Sequence, residues 1–309
     1  MAARRAGAVP RRRAPGPRAG RGPLKRRYRH ACMTPPALPR LGPALLLRAL
    51  AHRPSRAQAP STPAAPVQHQ LAALDAAHIQ RFRAALGFTQ PGMPLAYAYL
   101  LAQRAQLAAM LRPDFGHRIV GLIHVSHRLQ QLGPFDEQQP LLLETTIADE
   151  APRPDGAGYV QLQVQISQQG QVVLRCDSRY LSRRGRPRGT AAPSPSAVPQ
   201  GEWLARWPLA PQAGRRYAAL SGDWNPIHLW RWSARLFGLR RPIIHGAHSA
   251  ARVQAELEAR LGRPLRLLEM QFLRPLPLGS TPALHADIAA RRFELLDGDR
   301  CVASGQWAL

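Results

Sequence analysis

The stretch Tyr217–Ser249, YAALSGDWNPIHLWRWSARLFGLRRPIIHGAHS, decides how this 309-residue chain is read. It holds the only dense set of chemically capable side chains in the sequence. Asp223 and His228 lie five residues apart in the turn-rich segment SGDWNPIH, and His245-Gly246 follows. Ser221, Gly222 and Asp223 suit a tight loop, since glycine tolerates backbone angles that a Cβ forbids. Asn225-Pro226 reads as an N-cap with proline at the first helical position. The pattern predicts a short helix through Leu229, Trp232 and Leu236 that stops near Gly238. Arg240-Arg241-Pro242 breaks the chain, Ile243-Ile244 enters the interior, and Gly246 opens a longer helix. Such a helix start exposes unpaired N–H donors and a partial positive charge.

A carboxylate, an imidazole and an exposed backbone donor suit proton transfer at a polarised carbonyl. Asp223 and His228 are placed to position and deprotonate one water. The Gly246 N–H is placed to hold an oxygen that gains charge in the transition state. Water adding to a carbon–carbon double bond conjugated to a carbonyl needs these parts, and it calls for no metal and no cofactor. Taken singly, Asp223 is a helix cap and His228 a hydrogen-bonded first-turn residue; the combination and spacing carry the functional reading. His245 is expected to hold the loop before the helix, and His248 to have a structural or surface role.

The stretch resembles the signature of the MaoC-like, or (R)-specific enoyl-CoA hydratase, family. That signature runs Ser-Gly-Asp-x-Asn-Pro-apolar-His and, after a gap, Pro-apolar-apolar-His-Gly. Here it is Ser221-Gly222-Asp223-Trp224-Asn225-Pro226-Ile227-His228 and Pro242-Ile243-Ile244-His245-Gly246. The chain departs from the pattern at Leu229-Trp230-Arg231, where the family carries an apolar residue and an aspartate, and at Ala247-His248. The resemblance implies an α+β double hot-dog fold, two units each with a long helix wrapped by an antiparallel sheet. It also implies a catalytic Asp223–His228 pair and an oxyanion donor at Gly246.

The net charge of +25 is unevenly spread. No acidic residue precedes Asp75, and residues 1–74 carry 15 Lys or Arg. Residues 1–32, rich in Arg, Ala, Pro and Gly, lack apolar periodicity and are expected to be disordered. Three readings compete for them: a nonspecific anion-binding tail, a targeting peptide, or translation from an upstream start codon with Met33 as the true beginning. The last fits the Arg-Pro-Ala bias best. Residues 33–68 read as an amphipathic arm followed by a Pro/Ala/Ser linker, with no run long enough to span a membrane. Cys32, Cys176 and Cys301 are few and far apart, making neither a disulfide framework nor a metal knuckle. A reducing, cytoplasmic setting is expected.

Downstream, the order of elements repeats. In the unit 69–182, helices are predicted at Ala72–Leu86 and Leu95–Leu111. Strands follow at Ile119–Leu129 and Leu141–Ile147, then a hairpin in which Val160, Leu162, Val164 and Ile166 alternate with glutamines. His124 and His127 lie on a strand pattern and read as structural. After a linker at 183–200, the unit 201–309 repeats helix-then-sheet: a helix at Gly246–Leu261, a strand at Leu265–Leu273, and strands at Ala283–Arg291 and Cys301–Leu309 around an Asp297-Gly298 turn. The offset, about 140–150 residues, suggests internal duplication. The first unit lacks the Asp–His signature and is expected to pair with the catalytic second unit and line its acyl pocket.

The expected activity is reversible hydration of trans-2-enoyl thioesters to (R)-3-hydroxyacyl thioesters in fatty-acid metabolism. Asn225, Arg240, Arg241 and His245 are the candidate substrate-binding residues; the arginines would meet phosphates of CoA or an acidic acyl-carrier protein. The partner is thus an acyl-CoA or acyl-carrier-protein thioester, with no specific nucleic acid and no membrane span; the chain would be a monomer or homodimer. A hot-dog acyl-CoA thioesterase and a noncatalytic acyl-thioester- or nucleic-acid-binding protein are the alternatives.

Overall fold

The computed structural model describes residues 34–53, 65–151, 157–183 and 201–309. The expectations for the tail at 1–32 and for the linker sequence at 184–200 lie outside these residues. Pro35–Leu309 form one compact unit. It begins with helix α1 (Pro43–Ala51), strand β1 (Val67–Leu71) and helices α2 (Ala76–Leu86) and α3 (Leu95–Met110). Strands β2 (Ile123–Gln131), β3 (Leu141–Asp149), β4 (Ala157–Gln168) and β5 (Gln171–Arg183) complete the first half. The second half runs β6 (Glu202–Arg206), α4 (Ala213–Ser221), a 3-10 turn at Pro226–His228, α5 (Arg231–Leu236) and α6 (Gly246–Leu261). It ends with β7 (Leu267–Phe272), β8 (Ala283–Asp287), β9 (Arg292–Asp297) and β10 (Arg300–Ala308).

The ten strands form one sheet in the order β1-β3-β4-β5-β2-β7-β10-β9-β8-β6, antiparallel throughout. Read outward from the central β2–β7 pair, the two halves have the same order. Ser126 faces Gln271 and Leu129 faces Leu268 across that seam. The long helices α3 and α6 have 16 residues each and pack against one another as well as against the strands. This is a double hot-dog.

Burial explains the pattern. Val160, Leu162, Val164 and Ile166 of β4 are fully buried, while Gln161, Gln163 and Gln165 face outward or lie half-buried, the period-two alternation of a one-sided strand. Helix α3 is apolar on most of its circumference because the sheet wraps it. The buried glutamines Gln106 and Gln254 are both hydrogen-bonded, as buried amides must be.

Several elements differ from expectation. The short helix after Pro226 is two pieces: the chain turns extended at Trp230, and Ser233 Oγ accepts from Trp230 N while donating to Pro226 O at 2.7 Å, restarting the helix. The strand expected at Ala283–Arg291 ends at Asp287. A turn closed by Ala290 N donating to Asp287 Oδ1 leads into a separate strand β9, and the Asp297-Gly298 turn joins β9 to β10. The edge strands β1 and β6, and helix α4, were not predicted.

Candidate active site

Helix α4 ends on left-handed Gly222 (φ 81°), and this turn delivers Asp223 to the side of α3. There Gln103 Nε2 donates to Asp223 Oδ2 at 2.7 Å, and Asn225 N donates to Oδ1 at 3.2 Å. Burial opposes ionisation of Asp223, but the imidazoles of His245 and His228, together with these two donors, hold its pKa below the ordinary carboxylate value. Each carboxylate oxygen keeps a lone pair for another donor.

His228 ends the 3-10 turn. Its Nδ1 lies 2.8 Å from Ile243 O, and a carbonyl can only accept, so Nδ1 carries the proton and Nε2 is the free acceptor. Burial first, then the neighbouring His245, push the His228 pKa down to about 3, with Asp223 opposing. The ring is therefore neutral at physiological pH. His245 stacks on it, ring centroids 3.6 Å apart, and donates through Nε2 to the backbone oxygen of Asp223 at 2.9 Å. This contact ties the Asp223 loop to the start of α6, the holding role expected of His245. Its Nδ1 is buried without a partner, as is the hydroxyl of Tyr217, whose ring lies 4.9 Å away.

Gly246 opens α6 with no side-chain cap before it, and no described residue accepts its N–H. A Cβ here would come within 2.9 Å of the Phe272 ring, so the position has no room for a side chain. Asp223, His228, His245 and Gly246 all line one cavity of about 560 Å³, a size typical of small-molecule sites.

Acceptor atoms of Asp223, His228 and His245 lie within 4.8 Å of one another, the spacing of a metal site. Each imidazole, however, already commits one nitrogen as a donor to a backbone oxygen, His228 Nδ1 to Ile243 O and His245 Nε2 to Asp223 O. Both Asp223 oxygens already accept hydrogen bonds. The set fits a water and a proton better than an ion.

The other candidate residues fall differently. Asn225 lines the cavity, but its Oδ1 caps the 3-10 turn by accepting from Ile227 N at 3.4 Å. Arg240 and Arg241 lie outside the cavity. With Arg231 and Arg235 they border an open depression of about 530 Å³, and Leu239 lines both spaces. His248 is half-buried edge-on to Tyr217 rather than a surface residue.

The first half was expected to line the pocket, but sequence reasoning did not name the residues that do so. Gln103 and Tyr99 of α3, His124 of β2 and Tyr180 of β5 line the same cavity. Burial lowers His124 to about 4 and raises both tyrosines. Only the helical spacing of Tyr99 and Gln103, four residues apart on one face, was there to be read.

The fold and this site together define a double hot-dog protein with a carboxylate–imidazole pair beside an open helix start. Residues 196–293, in the second half of the chain, match the family model described as the MaoC like domain. The chain is similar to 3-hydroxyacyl-thioester dehydratase X of Mycobacterium tuberculosis, 27% identical over 218 residues, covering 69% of this chain and 76% of that protein. The crystal structure of HtdX of Mycobacterium tuberculosis superposes with a TM-score of 0.63 at 22% identity, over 78% of this chain and 99% of that one. A Mycobacterium tuberculosis protein described as having a double hot-dog fold matches with a TM-score of 0.51 at 14% identity, over 79% and 95%.

Proposed function

We propose that this protein hydrates trans-2-enoyl thioesters to (R)-3-hydroxyacyl thioesters, or dehydrates the latter, in fatty-acid metabolism. One observation carries the reading: Asp223, held as the carboxylate, neutral His228 with Nε2 unprotonated, and Gly246 with its N–H unpaired all line one cavity. The name of the dehydratase relative supports the thioester substrate.

In the proposed reaction Asp223 accepts one hydrogen bond from a water, and His228 Nε2 takes its other proton as the oxygen bonds to C3. The π pair of C2–C3 shifts toward the carbonyl, and Gly246 N–H holds the enolate oxygen that results. The proton is then returned to C2 on the same face, restoring the carbonyl. Dehydration reverses these steps. The (R) sense is what the MaoC-like resemblance implies. In this reading residues 201–309 are the catalytic unit. Residues 69–182 are noncatalytic, supplying Gln103 and part of the acyl pocket.

The test follows the enoyl-thioester absorbance of crotonyl-CoA and a medium-chain trans-2-enoyl-CoA, with free thiol measured in parallel. Loss of the band without thiol, giving the (R)-3-hydroxy product, is expected. Thiol release would move the assignment to a thioesterase.

A further inference from the structure

We propose that α1, the helix of the N-terminal arm, is the wall of the acyl-chain site, and that its inward face selects acyl groups well beyond four carbons. The inference rests on the thioester reading above and names the substrate class for that site.

The arm is fastened at both ends. Ala37 bridges to Gln70 of edge strand β1, with Leu38 N donating to Gln70 O and Gln70 N to Pro36 O, both at 2.8 Å. From α3, Arg104 donates to Pro39 O at 2.7 Å and to Leu38 O at 3.1 Å. Leu41 then packs on Gly222, so closely that a Cβ at residue 222 would lie 2.8 Å from the Leu41 Cβ. The arm thus enters beside Asp223. At the far end the His52 ring sits 5.9 Å from Phe115, past the C-terminus of α3.

Between these anchors α1 lies over the cavity. Leu45, Leu46, Ala49 and Leu50 line it, an i, i+1, i+4, i+5 stripe, while Ala44, Leu47 and Arg48 face away. Among the described residues no helix or strand runs closely alongside α1 for more than a residue or two. Its apolar face is therefore backed mainly by the cavity. Across the space stand Leu107 and Met110 of α3 and Ile119 and Leu122 of the following segment, none of them charged. An apolar helix face held over an apolar-walled space, continuous with the catalytic pair, calls for an apolar occupant joined to the reacting group. The acyl chain is that occupant.

Length gives the class. Nine helical residues span ~13 Å. An extended chain advances roughly 1.2 Å per bond, taking a residue's three bonds at ~3.5 Å. The covered path therefore takes about ten bonds, and a crotonyl group would leave most of it empty. Each further methylene buried there should tighten binding about fourfold.

The full-length protein is titrated calorimetrically with butyryl-CoA and dodecanoyl-CoA, saturated probes that bind without turning over. Hydration of the four- and twelve-carbon trans-2-enoyl-CoAs is measured alongside. The wild type is expected to prefer the twelve-carbon member of each pair by tenfold or more. Ala49→Trp, which fills the space, and Leu46→Ser, which makes the wall polar without bulk, should each cut that preference at least tenfold. Leu47→Ser, on the outward face, should keep it. Equal binding of the two chain lengths by the wild type, or an undiminished preference in both inward variants, overturns the inference even if hydration proceeds. Chain-length preference in binding with no hydration of either substrate would leave α1 as the wall and remove the hydratase reading.

Discussion

The two halves of this molecule share one architecture and differ at one end of it. Helix α2 ends on left-handed Gly87 (φ 80°), and α4 on left-handed Gly222 (φ 81°). The next residue is Phe88 in the first half, buried and stacked on Phe82, and Asp223 in the second. Pro94 and His245 precede the long helices in the same extended conformation, neither providing a side-chain cap. The eighth residue beyond each helix start is a glutamine, Gln103 in α3 and Gln254 in α6. Gln254 Oε1 accepts from Ala96 N at 2.7 Å and so occupies the start of α3. Gln103 instead holds Asp223, and the start of α6 stays open. One position on paired helices thus closes one potential anion site and equips the other. The two halves share a scaffold, and a few residues at the helix starts separate the proposed supporting half from the candidate catalytic one.

The widest gap between the halves should appear when the reacting groups are removed. Asp223→Asn and His228→Ala should each lower kcat for enoyl-CoA hydration by about 10²–10⁴-fold, the range for a lost acid–base group. Phe88→Asp, which places a carboxylate after the equivalent glycine, should add no activity, because the segment Gly87–Pro94 contains no histidine to act with it. Near-full hydration by either Asp223 or His228 variant would end the assignment of the pair.

The glutamines sharpen the comparison. Gln103→Leu removes a hydrogen bond to a carboxylate, an interaction of about 1.5–3 kcal/mol, and should slow the reaction roughly ten- to a hundredfold. Gln103 favours the charged form of Asp223, so its loss raises that pKa. The acid limb of the rate profile, where Asp223 takes up a proton, should move to higher pH. Gln254→Leu leaves Ala96 N unpaired in the interior and removes one of the two donors to Glu258 Oε1. It should cost about 1–3 kcal/mol in urea unfolding without moving the acid limb. If both variants behave alike, the functional asymmetry of the glutamines is lost.

What the sequence disclosed divides along the same line. Helix starts, glycine stops and the Val160–Ile166 alternation are local signals, and they placed α3, α6, β4 and the Asp223–His228 pair. The MaoC-like motif was legible because its residues lie on contiguous chain. Gln103 was not, since its partner is 120 residues away and a lone helical glutamine has no signature. Strands β1 (VQHQL) and β6 (EWLAR) are short edges with one wet side, so their alternation is too weak to read. The strand expected to run to Arg291 failed because the turn at Asp287–Ala290 contains no glycine or proline to mark it.

Acid should also separate the halves. His228 and His248 of the second half have pKa values near 3, and His124 of the first near 4, all depressed chiefly by burial. In the unfolded chain they titrate near 6.5. The unfolded state therefore binds protons first. The stability they contribute is fully present above pH ~6.5 and is lost progressively as pH falls toward 3–4. Urea midpoints at pH 7 and pH 4.5 should show a marked drop, reduced in His248→Leu, which removes one buried imidazole without touching the proposed chemistry. A midpoint that holds steady across this range would mean that these rings reach water.

The smallest effect belongs to the segment that only the second half possesses. Eight residues, Gly87–Pro94, join α2 to α3, and none is charged. The counterpart, Gly222–His245, carries α5 and four arginines, with Asp223 as its only acidic residue. Arg231, Arg235, Arg240 and Arg241 meet no carboxylate among the described residues and border the depression next to the cavity. Exposed charges at such a rim contribute about 0.2–1 kcal/mol each and act mainly on encounter rates. The Arg240→Gln, Arg241→Gln double variant should therefore raise KM a few-fold at low salt, leave kcat unchanged, and converge on the wild type as salt is added. A kcat effect would instead place these side chains against the reacting groups, and no effect at low salt would return them to an ordinary solvated surface.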